Sequence, residues 1–200
     1  FGQQWLTADY DSDNDDWTYD IPNSSWPWEN GKKYFVWARA EDNAGNYKVT
    51  PSSYVFIYDT TLPSAGVVFP KRDDKLNQAP EVVIRSTDAV PGVINEVQVA
   101  AYRNDDKYWN NIDQEWKEAA TEGIQWNDAS LSSEWSAGGY NKSSWTWIGT
   151  GLFSWTNGEE YAVKAKAKDS AGNWSVISSS HYFKVDYSSP VSRIDDPIDS

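Results

Sequence analysis

From Tyr161 to Lys168 the chain alternates without a break: Tyr161, Val163, Ala165 and Ala167 fall on one side, and Ala162, Lys164, Lys166 and Lys168 on the other. Successive side chains of a strand point to opposite faces, so this pattern predicts a strand with one buried face. Asn95 to Arg103 also alternates, with Val97, Val99 and Ala101 together. Asn104-Asp105-Asp106-Lys107 then reads as a hairpin loop leading into Tyr108-Trp109. Glu81 to Arg85 is apolar and β-branched, and Ser144 to Ile148 is a further strand. The one helical candidate, Glu115 to Ala120, is short. Many short strands with turn signals and no long helix predict an all-β sandwich or barrel.

The same pattern occurs twice. WENGKKYFVWARAEDNAGNYKV begins at Trp28 and WTNGEEYAVKAKAKDSAGNWSV at Trp155, an offset of 155 − 28 = 127 residues. Aligned without gaps from Trp28 to Pro63, 17 of 36 positions are identical, too many for chance. The match continues upstream with small gaps: Trp17-Thr18-Tyr19 against Trp145-Thr146-Trp147, and Trp5 and Tyr10 against Trp135 and Tyr140. Tyr34, Val36, Ala38 and Ala40 repeat the inward face of the first strand described, with Phe35, Trp37, Arg39 and Glu41 outward. Each strand runs into a turn, Asp42-Asn43-Ala44-Gly45-Asn46 and Asp169-Ser170-Ala171-Gly172-Asn173. There Gly45 and Gly172 supply positive φ, and Asp42 and Asp169 can bond the turn backbone.

The repeat sets the expected organisation. A boundary near Asp59-Thr60-Thr61-Leu62-Pro63 makes residues 1–60 the C-terminal half of one repeat and 61–187 a complete one. Residues 188–200 are then the start of a third repeat, or a linker. Half a sandwich exposes strand edges and an open apolar face. The chain therefore reads as a piece of a longer polypeptide, an expectation that the absence of an initiator Met reinforces.

The Tyr-x-Val-x-Ala strand resembles strand F of immunoglobulin-like and fibronectin type III domains. The resemblance implies that Tyr34 and Tyr161 form tyrosine corners. Asn-Gly-x-x-Tyr, then Ala-x-Asp-x-Ala-Gly-Asn, then a linker with Asp and Pro, is similar to the bacterial Ig-like repeats found in tandem in large surface and secreted proteins. The expected fold class is thus all-β, tandem immunoglobulin-like sandwiches, one partial and one complete. At 127 residues the repeat exceeds the usual domain, and residues 104–144 are expected to hold the surplus as an insertion.

Composition narrows the partners. A formal net charge of −13 repels nucleic-acid phosphates and anionic lipids, and would attract cations such as calcium. With no Cys there are no disulfides, thiolate metal sites or Cys nucleophiles. A sandwich of this size can bury enough core without them, so the expected location remains extracellular or cell-surface. No apolar run is long enough to span a bilayer.

Candidate sites are few. The single histidine, His181, falls on a strand opposite Tyr54 of the other copy, and no nucleophile or phosphate-binding motif is present, so no enzyme is expected. Asp11, Asp13 and Asp15 alternate as in oxygen-rich calcium loops, but the loop lacks the Gly and the terminal Glu of an EF-hand. Asp59 and Asp186 recur at repeat junctions, where calcium or a turn accounts for them equally well. Trp109, Trp116, Trp126 and Trp135 cluster in the surplus segment. Exposed, they would form a polysaccharide-stacking platform; packed, they would bury the insertion, the outcome expected from how often Trp is buried.

These readings favour a non-catalytic structural or adhesive repeat of an extracellular stalk, adhesin or filament, whose partners are neighbouring repeats. The alternatives are a carbohydrate-binding accessory module of a secreted hydrolase, which needs several Trp exposed in a row, and a filament subunit that exchanges strands.

Overall fold

The computed structural model describes residues 5–20, 28–149 and 153–193. The chain forms two compact units, Phe1–Tyr58 and Asp59–Ser200.

In the first unit, β1 (Asp9–Asp11) and β2 (Asp16–Thr18) form one antiparallel hairpin with Tyr10 opposite Trp17. β3 (Lys33–Ala38) and β4 (Ser52–Ile57) form a second two-stranded antiparallel sheet. Only one end of that second sheet has a local core. Trp28 packs edge-on against Tyr34 at 4.5 Å, and Tyr34 stacks on Phe56 at 5.6 Å. The expected inward face of β3 is not buried: Val36, Ala38 and Ala40 are exposed, as are Phe35 and Trp37 on the other side. Alternation prepares a strand for burial, but burial needs a facing layer, and none covers β3–β4 among the described residues.

The second unit supplies both layers. Its elements are β5 (Ser64–Phe69), β6 (Asp74–Leu76), β7 (Val82–Ala89), β8 (Ile94–Arg103), β9 (Lys107–Asn110), β10 (Glu115–Glu118), α1 (Ala119–Glu122), β11 (Asn127–Asp128), β12 (Ser130–Ala137), β13 (Tyr140–Trp147), β14 (Glu160–Asp169) and β15 (His181–Val185). One sheet runs β12-β13-β7-β5, the other β10-β9-β8-β14-β15-β6 with β11 also on β8. All pairs are antiparallel except β15 with β6. With β5, β7, β8, β12, β13, β14 and β15 as strands A to G, the sheets read D-E-B-A and C-F-G, the order of an immunoglobulin-like sandwich.

Between the sheets lie Val82 and Ile84 of β7, Trp145 and Trp147 of β13, Val97, Val99 and Ala101 of β8, Tyr161, Val163, Ala165 and Ala167 of β14, and Phe183 and Val185 of β15. Each larger member withdraws apolar area worth about 1.5–3 kcal/mol. The outward lysines of β14 lay their stems along the sheet. Lys166 Nζ sits 4.5 Å from the Trp126 ring and 4.1 Å from that of Trp174, close enough for cation–π attraction.

Two expectations change here. β12 and β13 are sandwich strands paired with one another and, through β13, with β7, so the surplus is confined to the segment between β8 and β12. That segment extends the β8 edge, and the buried Asn127 side chain ties it down. Asn127 Nδ2 donates to the Trp109 and Val99 carbonyls at 2.9 and 3.3 Å, and its Oδ1 accepts from Asn111 N–H at 2.7 Å. The helical candidate over Glu115 to Ala120 is strand β10 followed by one helical turn, because Trp116 pairs across the hairpin with Trp109 at 5.7 Å. The upstream repeat pairing also shifts: Tyr10 lies on the first strand of its hairpin, whereas Tyr140 opens the second strand of the other.

Candidate metal centre

The repeated turns are built alike in both units. Asp42 Oδ1 accepts the Asn46 N–H at 2.9 Å and its Oδ2 accepts Asn46 Nδ2 at 2.9 Å. Asp169 makes the same two bonds to Asn173, each at 2.8 Å. Gly45 and Gly172 close the turns at φ of 84° and 96°, where a Cβ would be strained. The tyrosines also correspond: Tyr34 Oη accepts Glu29 N–H and Tyr161 Oη accepts Thr156 N–H, both at 2.8 Å and five residues upstream.

In the second unit the turn sits beside two further carboxylates. Asp59, Asp88 and Asp169 each present a carboxylate oxygen, and these oxygens lie within 4.8 Å of one another. Asp59 begins the unit, Asp88 lies near the end of β7 and Asp169 ends β14. The Asn173 amide links two of them, donating from Nδ2 to Asp169 Oδ2 and to the Asp59 carbonyl at 3.0 Å. Asp59 Oδ1 also takes the Thr61 N–H at 2.9 Å, and Asp186, its counterpart in the repeat, takes the Ser188 N–H in the same way.

Asp88 is the unusual member. It is 2% exposed, and neither carboxylate oxygen has a hydrogen-bond partner. A buried polar atom without a partner carries its full desolvation cost. Burial first, and then the charges of Asp59 and Asp169, push its pKa up to about 6. Only the adjacent Ala89 amide opposes the shift, without reaching hydrogen-bond geometry. The backbone is shaped to make room for this carboxylate. A Cβ on the buried Gly92 would stand 2.1 Å from Asp88 Oδ2 and 2.7 Å from Asp59 Oδ2, so only glycine fits there.

A raised carboxylate pKa fixes the sign of a pH effect. The folded state holds the Asp88 proton up to about pH 6, whereas an unfolded Asp releases it near its ordinary 3.8. The stabilisation that protonation gives is therefore present at low pH and lost as pH rises through this window. In chelator-treated buffer at pH 7.5, Asp88→Asn should be more stable than the native chain, and the gap should close as pH falls to 5. Urea melts across that range measure it. A variant that is already less stable at pH 7.5 would mean that the carboxylate has a compensating partner.

The other predicted residues are placed differently. Asp11, Asp13 and Asp15 lie in the exposed β1–β2 turn. There Asp11 accepts from Asp13 N–H and Asn14 Nδ2, both at 2.9 Å, and Asp15 accepts from Tyr10 Oη at 2.7 Å. The Asp11 and Asp15 carboxylates serve the hairpin, and the three do not converge. Of the four tryptophans, Trp109 is 2% exposed and belongs to the core. Trp116 packs on that core beneath Arg103, and Trp126 lies half-buried under Lys166. Only Trp135, on β12, is open to solvent, at 41% exposure. The four do not form one exposed row. His181 is half-buried on β15 with Nδ1 2.9 Å from the Pro70 carbonyl oxygen.

The sequence did carry one signal for Asp88: it falls in register with Val82, Ile84 and Ser86, all buried on β7, so a carboxylate occupies an inward position. That Asp59 and Asp169 meet it is a matter of topology.

The strand order and the paired turns define the chain as an all-β, immunoglobulin-like sandwich protein. No family model matches the chain, and no curated protein does. Among solved structures it is similar to the fibronectin(III)-like modules of Clostridium thermocellum CbhA, at 14% identity and a TM-score of 0.37, covering 78% of this chain and 63% of that one. The fold assignment rests on the strand order.

Proposed function

We propose that this chain is a non-catalytic structural segment of tandem Ig-like repeats in an extracellular stalk, adhesin or filament, with neighbouring repeats as its partners. One observation carries the reading: the β3–β4 and β14–β15 strand pairs share the same ring cluster, tyrosine bond and Asp–Gly turn, while other positions on the strands change. The Trp28–Tyr34–Phe56 and Trp155–Tyr161–Phe183 clusters match in geometry, as do the two turns and the Arg39–Tyr47 and Lys166–Trp174 contacts. By contrast, Lys33 and Trp37 face Glu160 and Lys164 in the alignment. A chain that keeps its packing and varies its surface is suited to spacing and presentation. His181, the one imidazole, has its Nδ1 2.9 Å from the Pro70 carbonyl oxygen. Among the described residues no helix is long and apolar enough to cross a membrane. Antibodies against the chain should label the surface or extracellular filaments of the cells that produce it; labelling confined to the cytoplasm would overturn the reading.

The open face of β3–β4 favours strand or layer exchange as a second reading. Both faces of this strand pair are open: Phe35, Trp37, Val55 and Ile57 are exposed on one and Val36 on the other, which is costly in water. Sedimentation should show reversible self-association that Val36→Lys weakens. A strictly monomeric chain at high concentration would remove this second reading and leave the first intact.

A further inference from the structure

We propose that Asp59, Asp88 and Asp169 form a calcium-binding site that fastens the first residue of the second unit onto the end of its own sandwich. This goes beyond the spacer reading and does not depend on it. The donors are all carboxylate oxygens, the ligand set of a hard cation, with no imidazole or thiolate to select zinc. Two oxygens bound to one calcium at about 2.3–2.6 Å each can be no more than about 5 Å apart. The three carboxylates meet that limit, lying within 4.8 Å of one another.

The second observation is independent of the clustering. Asp88 is held 2% exposed with both oxygens unpartnered, although Asn141, close by, spends its amide on the Gly92 carbonyl at 2.6 Å. A carboxylate bonded to nothing, in a space only a glycine leaves open, is matched by a group that accepts electron pairs. Two of the three residues already have their orientation fixed: Asn173 holds Asp169 with two bonds, and the Asp59 Oδ1 bond to Thr61 N–H leaves its Oδ2 on the Asp88 side. Convergence of three anions without a cation is repulsive. A divalent ion converts that repulsion into attachment, and it does so between residues 59, 88 and 169, which are far apart in sequence. The ion would therefore act as a cross-link between the entry segment, the β7–β8 turn and the β14 turn. In a chain with no disulfide, this gives a repeat a way to resist unravelling from its junction.

The test uses the whole 200-residue chain, stripped with chelator and titrated with calcium by calorimetry, with thermal melts in parallel. Calcium is taken to about 10 mM, above the millimolar dissociation constants of extracellular modules. The expected result is saturable binding of one ion per chain, with a melting temperature that climbs with the logarithm of calcium concentration. Asp88→Asn and Asp59→Asn should each weaken binding by roughly tenfold or more and flatten that climb. Asp59 is only half-buried, so its variant gives a second reading of the same site with little change to the core. A triple change of Asp11, Asp13 and Asp15 to Asn should leave binding untouched. Magnesium should give a smaller shift, and an equal one would overturn the assignment to calcium. A melting temperature unmoved by calcium, or binding that survives both single variants, would overturn the site.

Discussion

Trp155→Ala is expected to remove about 3–5 kcal/mol from the stability of the second unit, the upper range for loss of a buried aromatic. Trp155 is 6% exposed and stands at the centre of a ring cluster. Its indole meets Phe153 at 4.6 Å, Tyr161 at 4.8 Å, Phe183 at 5.2 Å and Trp147 at 6.3 Å, all near edge-to-face. Edge-to-face pairs add to area burial because the positive ring edge meets a negative ring face. The indole N–H also donates to the Pro80 carbonyl at 3.1 Å, so truncation orphans a buried acceptor as well as opening a cavity. These contacts join both sheets, since Trp147 is on β13 while Tyr161 and Phe183 are on β14 and β15. Urea melts followed by tryptophan fluorescence should show the midpoint falling steeply. A loss below about 1 kcal/mol would mean that the cluster is not the keystone of the core.

Gly149→Ala comes next, at an expected net cost of about 2–4 kcal/mol. Gly149 adopts a φ of 74°, where an L-residue pays about 1–2 kcal/mol. Its added Cβ would also lie 2.2 Å from Phe153 Cδ1 and 2.5 Å from Phe153 Cγ. That ring has little room to retreat, because Trp109, Trp116, Trp147 and Trp155 all pack around it at 4.6–5.9 Å. Overpacking of this kind costs about 1–3 kcal/mol, and the reduced freedom of the unfolded chain returns about 0.4–1 kcal/mol. Near-UV circular dichroism should change along with the melt, since the displaced ring touches four indoles. An unchanged spectrum and an unchanged midpoint would place the Phe153 ring elsewhere.

What the sequence made legible was whatever depends on local period. The Tyr-x-Val-x-Ala strand, its tyrosine bond and the Asp–Gly turn follow from alternation, a β-strand face and the conformational freedom of glycine, and they appear in both units. What it hid depends on other layers. Val36 has the same register as Val163, yet one is 45% exposed and the other fully buried, because among the described residues only β14 has a facing sheet. β12 shows no alternation of burial, being exposed at every position, so its role as a sandwich edge strand could not be read from a hydrophobic pattern. Trp109 and Trp116 look alike in sequence to the exposed Trp135, and only the hairpin that folds β9 and β10 onto the core separates them. The carboxylate centre was the least visible. In the sequence Asp169 reads as a turn residue, and Asp59 as a junction residue that calcium or a turn accounts for equally well; Asp88 becomes a partner only through the placing of β7 and β14.

One chain holds a complete Ig-like sandwich together with a repeated strand pair that lacks a facing sheet among the described residues. Native-state amide exchange on the intact chain tests it most directly. Amides of β7, β8, β13 and β14 should exchange together and slowest, through global opening, while β3 and β4 exchange through a much smaller opening despite their matching sequence. Equal protection of β3–β4 and β14–β15 would contradict it.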